Sequence, residues 1–391
     1  MVTNLPAEAR AKWLKVMEAK TPEEKIRALE EFLSAVPKHK GTANLRLWAT
    51  RRLAELREEV EERKRRRGGR GPRIFIEKEG AAQVVVTGMP NSGKSSIVNM
   101  LTGARTVIAD YPFSTTEPVP GMYRYEDIFF QLIDTPPLVP GKRWLWNTRV
   151  IGLIRNADAI ILVLDNADDP VTQFKELSRE LEESGILLYK PEGRVVIERQ
   201  RSGKTGIRVT IMGKLVDCTP DDIRKLLESY RIYNAHVKIY GKVDLDMVEQ
   251  AILETKMYKP AVIIINKADL DLKKAVDSGK RIYEMTKKII PVIIASAKLK
   301  KGFEELGKIL FQNLELIRIY TKQPNSEPSP KPLILKKGAT ILDVAKAIHK
   351  KFVETFLYAK IWGPSAKYPG ERVGLDHVVE DGDIVEIHTK I

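Results

Sequence analysis

Gly88-Met89-Pro90-Asn91-Ser92-Gly93-Lys94-Ser95 reads G-x-x-x-x-G-K-S and follows directly on the apolar run Val84-Val85-Val86. The motif constrains the fold because it works only where a strand delivers the loop and a helix receives it. Ser96 to Leu101, with Ile97, Val98, Met100 and Leu101 apolar, supplies that helix. The glycines, Gly88 and Gly93, let the backbone N–H groups of Pro90's successors Asn91 to Ser96 converge on phosphate oxygens. Lys94 is placed to reach the β- and γ-phosphates, and the Ser95 hydroxyl to ligate Mg²⁺.

Acidic and polar residues that complete such a site lie downstream. Asp110-Tyr111-Pro112-Phe113-Ser114-Thr115-Thr116-Glu117-Pro118 is too polar and proline-punctuated for a regular element, and a loop of this kind can carry a switch threonine, Thr115. Met122 to Tyr125 and Ile128 to Ile133 read as a hairpin around Glu126-Asp127, with the second strand ending at Asp134. An acid there is where Mg²⁺ coordination around a phosphate loop is expected. Ala159 to Leu164, Val262 to Ile265 and Val292 to Ala295 have the pattern of buried parallel strands separated by helices.

The strand at Val262 to Ile265 ends in Asn266-Lys267-Ala268-Asp269, and the next in Ser296-Ala297-Lys298. A carboxylate at Asp269 accepts the N1–H and N2–H₂ donors of guanine, a pair that adenine lacks. Asn266 is expected to tie this loop to the phosphate loop, Lys267 to lie along the base, and the Ala297 N–H to face the guanine O6.

Composition fits a globular chain: 43% of the 391 residues are hydrophobic and 30% charged. One cysteine, Cys218, excludes an internal disulfide. The longest apolar runs are strand length and the N-terminus lacks a signal-peptide core, so a cytoplasmic protein with no membrane-spanning segment is expected. Net charge is +14, and residues 1 to 80 hold 20 Lys/Arg against 13 Asp/Glu, half of the excess in about a fifth of the chain. A polyanionic partner is consistent with that balance.

Thr21-Pro22-Glu23-Glu24 is a helix start, and the apolar positions on either side of Pro37 to Thr42 predict a helical hairpin. The second helix runs into Arg63-Lys64-Arg65-Arg66-Arg67, which reads equally as a solvated helix end or an RNA-contacting patch. Between Gly185 and Gly241, Arg194 to Gln200 and Ile207 to Met212 alternate like paired strands of a basic hairpin, followed by a helix capped at Thr219 and a returning strand from Ala235. The Gly203-Lys204-Thr205 within the turn is not a second phosphate loop, since Glu198 stands where the first glycine is required. Ser326 to Pro332 reads as a linker, and the residues beyond it as a compact β/α module.

The ordered set Gly88 to Ser95, Thr115, Asp134, Asn266 to Asp269 and Ser296 to Lys298 resembles a translation-factor-class GTPase. Tyr111-Pro112-Phe113-Ser114-Thr115-Thr116 and Pro90-Asn91 resemble the Obg superfamily. Lys38 to Ala43, Tyr230 to Ala235 and Trp362-Gly363-Pro364-Ser365-Ala366 narrow the resemblance to the developmentally regulated GTP-binding proteins, with a C-terminal TGS domain. The implied fold is α/β: a P-loop GTPase domain with an inserted α+β subdomain, an N-terminal helical hairpin and a C-terminal β-grasp (TGS) domain. On this reading the segments are 1–78 for the hairpin, 79–185 and 242–325 for the GTPase domain, 186–241 for the insertion and 326–391 for the TGS domain.

The resemblance implies binding and slow hydrolysis of GTP to GDP, with Lys94, Thr115, Asp134 and Asn91 in catalysis. It implies Mg²⁺ held by Ser95, Thr115 and Asp134, and a K⁺ ion that Asn91 helps to hold. It also implies association with the ribosome and RNA, no DNA specificity, and a stabilising partner protein. Leu138 stands where Ras-like GTPases carry a water-orienting Gln. Two departures matter: the family's Asp-x-Pro-Gly reads Asp134-Thr135-Pro136-Pro137, so the glycine whose N–H meets the γ-phosphate is a proline, and the glycine-rich switch that follows is shorter than the family's, with Trp144 and Trp146 standing in it.

Overall fold

The strand ahead of the phosphate loop, β1 (Ala82–Gly88), is buried along its whole length. It lies at the middle of a six-stranded sheet. In the computed structural model, which describes residues 5–19, 21–38, 42–66, 76–103, 118–141, 145–199, 206–253, 256–324 and 326–390, the chain divides into two compact units. One comprises residues 76–135, 157–170 and 260–391, the other the remaining described segments.

The first unit holds the sheet, built from β1, β2 (Val119–Tyr125), β3 (Ile128–Asp134), β4 (Ala159–Asp165), β10 (Ala261–Asn266) and β11 (Val292–Ile294). Their order is β11-β10-β4-β1-β3-β2, all parallel except the antiparallel edge strand β2. This is the order of a P-loop GTPase sheet, and the unbroken apolar runs of β1, β4 and β10 are what strands enclosed on both faces require. Helices α4 (Lys94–Thr102), α9 (Leu272–Met285) and α10 (Leu306–Asn313) complete this part of the unit. The β2–β3 hairpin forms around Glu126-Asp127 as its sequence predicts, with Glu126 at φ +50° in the turn.

The same unit carries a second sheet of β12 (Leu316–Thr321), β13 (Leu333–Lys336), β14 (Phe356–Trp362), β15 (Glu371–Val373) and β16 (Ile384–Thr389), in the order β13-β12-β16-β14-β15. Helices α11 (Ile341–Ile348) and α12 (Lys350–Glu354) accompany it, and α11 starts with a Thr340–Asp343 capping box. A first strand flanked by the second and the last, with parallel pairing between β12 and β16, is the β-grasp topology. Here the sequence reading needs correction. The proline-rich stretch 326–332 is not a linker ahead of the module but the connection between its first two strands, so the module begins at Leu316.

The second unit contains α1 (Ala7–Glu18), α2 (Pro22–Ala35), α3 (Ala43–Arg66), α5 (Leu145–Asn156), α6 (Pro170–Glu183), β5 (Ile186–Leu187), β6 (Gly193–Arg199), β7 (Ile207–Leu215), α7 (Pro220–Ser229), β8 (Ala235–Val243), α8 (Leu245–Ile252) and β9 (Met257–Tyr258). The capping boxes Thr21–Glu24 and Thr219–Asp222 both form. The N-terminal hairpin is in fact a three-helix arrangement. Helix α1 contributes Ala9, Trp13 and Val16 to the core, and the Trp13 ring lies 5.1 Å from Phe32 and 5.6 Å from Trp48. These side chains share one core with Ile223, Leu227 and Tyr230 of the inserted segment.

The inserted strands are also ordered differently from the sequence reading. β6 and β7 do not pair with each other; β8 lies between them, antiparallel to β6 and parallel to β7. β8 buries Ala235, Val237, Ile239 and Val243, whereas β7 buries none of its side chains fully, as fits a strand paired on both edges against one paired on a single edge. Helix α7 then serves as the crossover that a parallel β7–β8 pair needs. The turn at 200–205 lies outside the described residues, as do Thr115 and Arg67; nothing is described of the side chains of Arg63 to Arg66. No helix among the described residues is long and apolar enough to cross a membrane.

Candidate nucleotide-binding site

The phosphate loop leaves β1 at Gly88 and enters α4 at Gly93, both in backbone conformations that L side chains rarely adopt (φ +159° and +87°). A Cβ at Gly88 would lie 2.3 Å from the Val163 carbonyl oxygen, and one at Gly93 2.2 Å from Asn266 Nδ2. Only glycine therefore permits the loop to lie this close to β4 and to the end of β10. Ser92 Oγ donates to the Met89 carbonyl at 2.9 Å and closes the loop on itself. Asn91, also at positive φ (+60°), stands exposed at the loop's apex beside half-buried Pro90.

Lys94 is 6% exposed, and its Nζ donates to the Met89 carbonyl at 2.8 Å, folding back over the loop. Burial pushes its ammonium down to about 8, and the Asp134 carboxylate opposes that shift. A buried cation with an excess of donors over acceptors fits an anionic ligand. Ser95 Oγ donates to Asp134 Oδ2 at 2.6 Å. Asp134 is fully buried at the end of β3, and its neighbour Thr135 donates to the Val86 carbonyl at 2.9 Å, which locks this strand end beside the loop. A hydroxyl and a carboxylate in contact offer the hard oxygen donors that suit Mg²⁺. Ser96 is half-buried in the first turn of α4.

The segments expected to recognise the base assemble from the ends of β10 and β11. Asn266, 2% exposed, donates from Nδ2 to the Ser92 carbonyl at 2.9 Å and accepts the Ala297 N–H at 3.0 Å on Oδ1. The expected tie to the phosphate loop is present. The Ala297 N–H, expected to face a guanine oxygen, is occupied by that asparagine in this structure. Ser296 Oγ donates to Asp269 Oδ1 at 2.5 Å and itself accepts the Leu299 N–H. The serine thus orients the exposed Asp269 carboxylate, which keeps its second oxygen and a further lone pair for a ligand. Lys298 is exposed beside it.

One residue that sequence reasoning missed belongs to this cluster. Asp165, at the end of β4, pairs with Lys267 Nζ at 2.6 Å while its other oxygen accepts the Ala167 N–H. Lys267 itself sits at positive φ (+62°) just past the end of β10. The neighbouring Asn166 donates to the Asp271 carbonyl at 2.8 Å and braces the same loop. Asp165 could have been found as an acid closing a buried parallel strand, as Asp134 is on β3.

Comparisons with known proteins agree with this geometry. Residues 83–197 match the sequence family described as 50S ribosome-binding GTPase, residues 204–316 that described as the C-terminal region of the same domain, and residues 317–389 the TGS domain. An uncharacterised GTP-binding protein of Methanocaldococcus jannaschii is 34% identical over 371 residues, 94% of this chain and 93% of that one. Human developmentally-regulated GTP-binding protein 2 is 30% identical over 370 residues, 94% of this chain and 99% of that one. The chain belongs to the developmentally regulated GTP-binding protein family. It is accordingly a GTP-binding protein with a P-loop GTPase domain and a C-terminal TGS domain. A solved GTP-binding protein from Pyrococcus horikoshii OT3 aligns at a TM-score of 0.45 and 19% identity, over 79% of this chain and 100% of that one, too slight a likeness to add anything.

Proposed function

We propose that this protein is a guanine-nucleotide switch of the cytoplasm that hydrolyses GTP slowly and associates with the ribosome through RNA. The observation that carries the nucleotide part is the Asn266 amide, which joins the phosphate loop to the loop holding Asp269. Through it, occupancy by the phosphates and recognition of the base become one event. Lys94 and the N–H groups from Asn91 to Ser96 bind phosphate oxygens, and Asp269 selects guanine. Ser95, Asp134 and Thr115 are the residues that would hold Mg²⁺, which neutralises charge on the β- and γ-phosphate oxygens when bound.

Slow turnover follows from the residues after Asp134. Leu138 is fully buried and has no group with which to orient water. Asn91 lies at the loop's apex, where its side-chain oxygen can help to hold K⁺. Ribosome association is supported by the description of the matched GTPase family and by the basic balance of the chain. A stabilising partner protein belongs to the same reading.

A second reading, a GTP-loaded scaffold with little or no hydrolysis, is favoured by Pro137, which has no N–H to give the γ-phosphate. Single-turnover hydrolysis measured with and without ribosomes separates the two. A rate above background that ribosomes increase supports the switch; background in both arms supports the scaffold. Ribosome pelleting of the GTP-loaded protein tests the association directly.

A further inference from the structure

Among the described residues, the sheet β6-β8-β7 is covered on one face only. Val195, Ile197, Val209, Val237 and Ile239 point into the core shared with the helices. Side chains alternate along a strand and residues opposite one another share a face, so the intervening positions form a single outer surface. Its cations are Arg194 on β6, Arg208 and Lys214 on β7, and Lys238 and Lys242 on β8, against one carboxylate within the strands, Glu198.

Local pairing does not use up this charge. Lys238 bonds Glu198 at 2.6 Å, and Lys242 lies 3.7 Å from Glu192 just outside the sheet. Among the described residues Arg194, Arg208 and Lys214 have no acidic partner, and all three are exposed. Arg208 and Lys214 stand at the two ends of one strand face, roughly 20 Å apart at the rise of an extended chain. In the middle of the central strand is Tyr240, 37% exposed, directly opposite Arg194 on one side and Met212 on the other. An exposed ring flanked by an arginine and by the apolar side chain of Met212, itself 50% exposed, is a surface for another planar group.

We propose that this face binds a single-stranded segment of RNA, with the phosphates on Arg194, Arg208 and Lys214 and a base stacked on Tyr240; the proposal rests on the reading that the protein engages RNA. Cations spaced along an exposed face track a backbone, and an aromatic ring among them takes a base of any identity because every base has a π-face. An acidic protein segment would satisfy the cations and leave the ring without a planar partner.

The test uses the full chain loaded with GDP, labelled oligouridylate as probe and a salt series, with ribosome pelleting alongside. Replacing Arg208 and Lys214 together by Ala should lower the slope of log affinity against log salt by about 1.4, two phosphates at the single-strand value. Tyr240→Phe should bind as the wild type does. Tyr240→Ala should weaken binding roughly fivefold to a hundredfold with the slope unchanged. The positions are exposed, so melting temperature and GDP affinity should hold in every variant. If the wild type binds oligouridylate and pellets with ribosomes but the variants match it, this face is wrong and the RNA reading stands. If the wild type binds neither, both fail. With polyglutamate as a second probe, variants that lose its binding while keeping their RNA affinity would give the face to a protein and overturn the proposal.

Discussion

The Nδ2 of Asn266 lies 2.9 Å from the carbonyl oxygen of Ser92, across 174 positions of sequence, with both groups buried. With its oxygen accepting the Ala297 N–H, the side chain satisfies groups on two other segments at once. Removing one partner of a buried hydrogen bond costs about 1–3 kcal/mol because the group left behind is desolvated. Asn266→Ala should therefore speed GDP release by about tenfold or more, with a loss of thermal stability of a few degrees. Stopped-flow release of a fluorescent GDP analogue checks it, and an unchanged rate would show that the tie is not used.

On the proposed reading, Asp269 sets the base. Asp269→Asn replaces a two-oxygen acceptor by a group carrying both donor and acceptor, which complements xanthine in place of guanine. A competition assay should show GDP displaced by xanthosine diphosphate in the variant and not in the wild type. The Ser296 hydroxyl that orients Asp269 gives a second handle. Ser296→Ala should weaken guanine binding by several-fold without changing which base is preferred.

Asn91 is exposed on the loop with φ +60°, away from the internal bonds that Ser92 makes. If its oxygen helps to hold a monovalent cation, K⁺ should accelerate single-turnover hydrolysis where Na⁺ does not, and Asn91→Ala should remove the difference. Equal rates in the two salts for the wild type would count against the cation.

Pro137 is buried and fixes φ near −65°. One hydrogen bond to the γ-phosphate is unavailable from this position, and a bond to a charged acceptor contributes roughly 1.5–3 kcal/mol. GTP and GDP should consequently bind with similar affinity, and Pro137→Gly should raise the preference for GTP by up to about a hundredfold. Calorimetry with both nucleotides decides the matter. A strong GTP preference in the wild type that glycine leaves unchanged would mean that another N–H has taken over.

A pH effect is expected at the C-terminal sheet. Tyr320 donates to Asp127 Oδ2 at 2.5 Å, and that bond, aided by burial, pushes the phenol up to about 12. The folded state holds the proton more tightly than the unfolded chain does, so the stabilisation is complete below pH 10 and is lost as pH rises from 10 to 12. The advantage in melting temperature of wild type over Tyr320→Phe should shrink across that window. Arg318, bidentate to Asp381 and also bonded to Glu126, belongs to the same cluster. Arg318→Ala should destabilise the protein by about 2 kcal/mol, since it leaves carboxylates partly buried beside one another.

The phosphate loop, the strands that flank it and the Asn266 tie were legible because each is fixed by local chemistry: glycines where φ is positive, unbroken apolar runs, a motif of known reach. Helix α1 was legible in principle, since Leu5, Ala9, Trp13 and Val16 have helical spacing, although the charges around them hide it. The Lys267–Asp165 pair was not, because nothing near either residue specifies a partner 102 positions away. The strand order β6-β8-β7 failed for another reason. Alternation identifies strands without saying which two meet, and the short turn suggested a hairpin where α7 in fact provides a crossover. Only the burial of Ala235, Val237 and Ile239 distinguishes the central strand, and burial is a property of the folded chain.

Because β12 joins the C-terminal sheet from ahead of the prolines, dissecting the protein at 326–332 would cut through a folded unit. The GTPase fragment would retain β12 with its N–H and C=O groups bare, a template for pairing with other molecules. It would also lose Asp381, the carboxylate that grips Arg318 from the far end of the chain. The other fragment would lack the strand that separates β13 from β16. Insolubility of either piece would report the position of the scissors; a cut ahead of Leu316 leaves the sheet whole and gives a fair measure of what each part does alone.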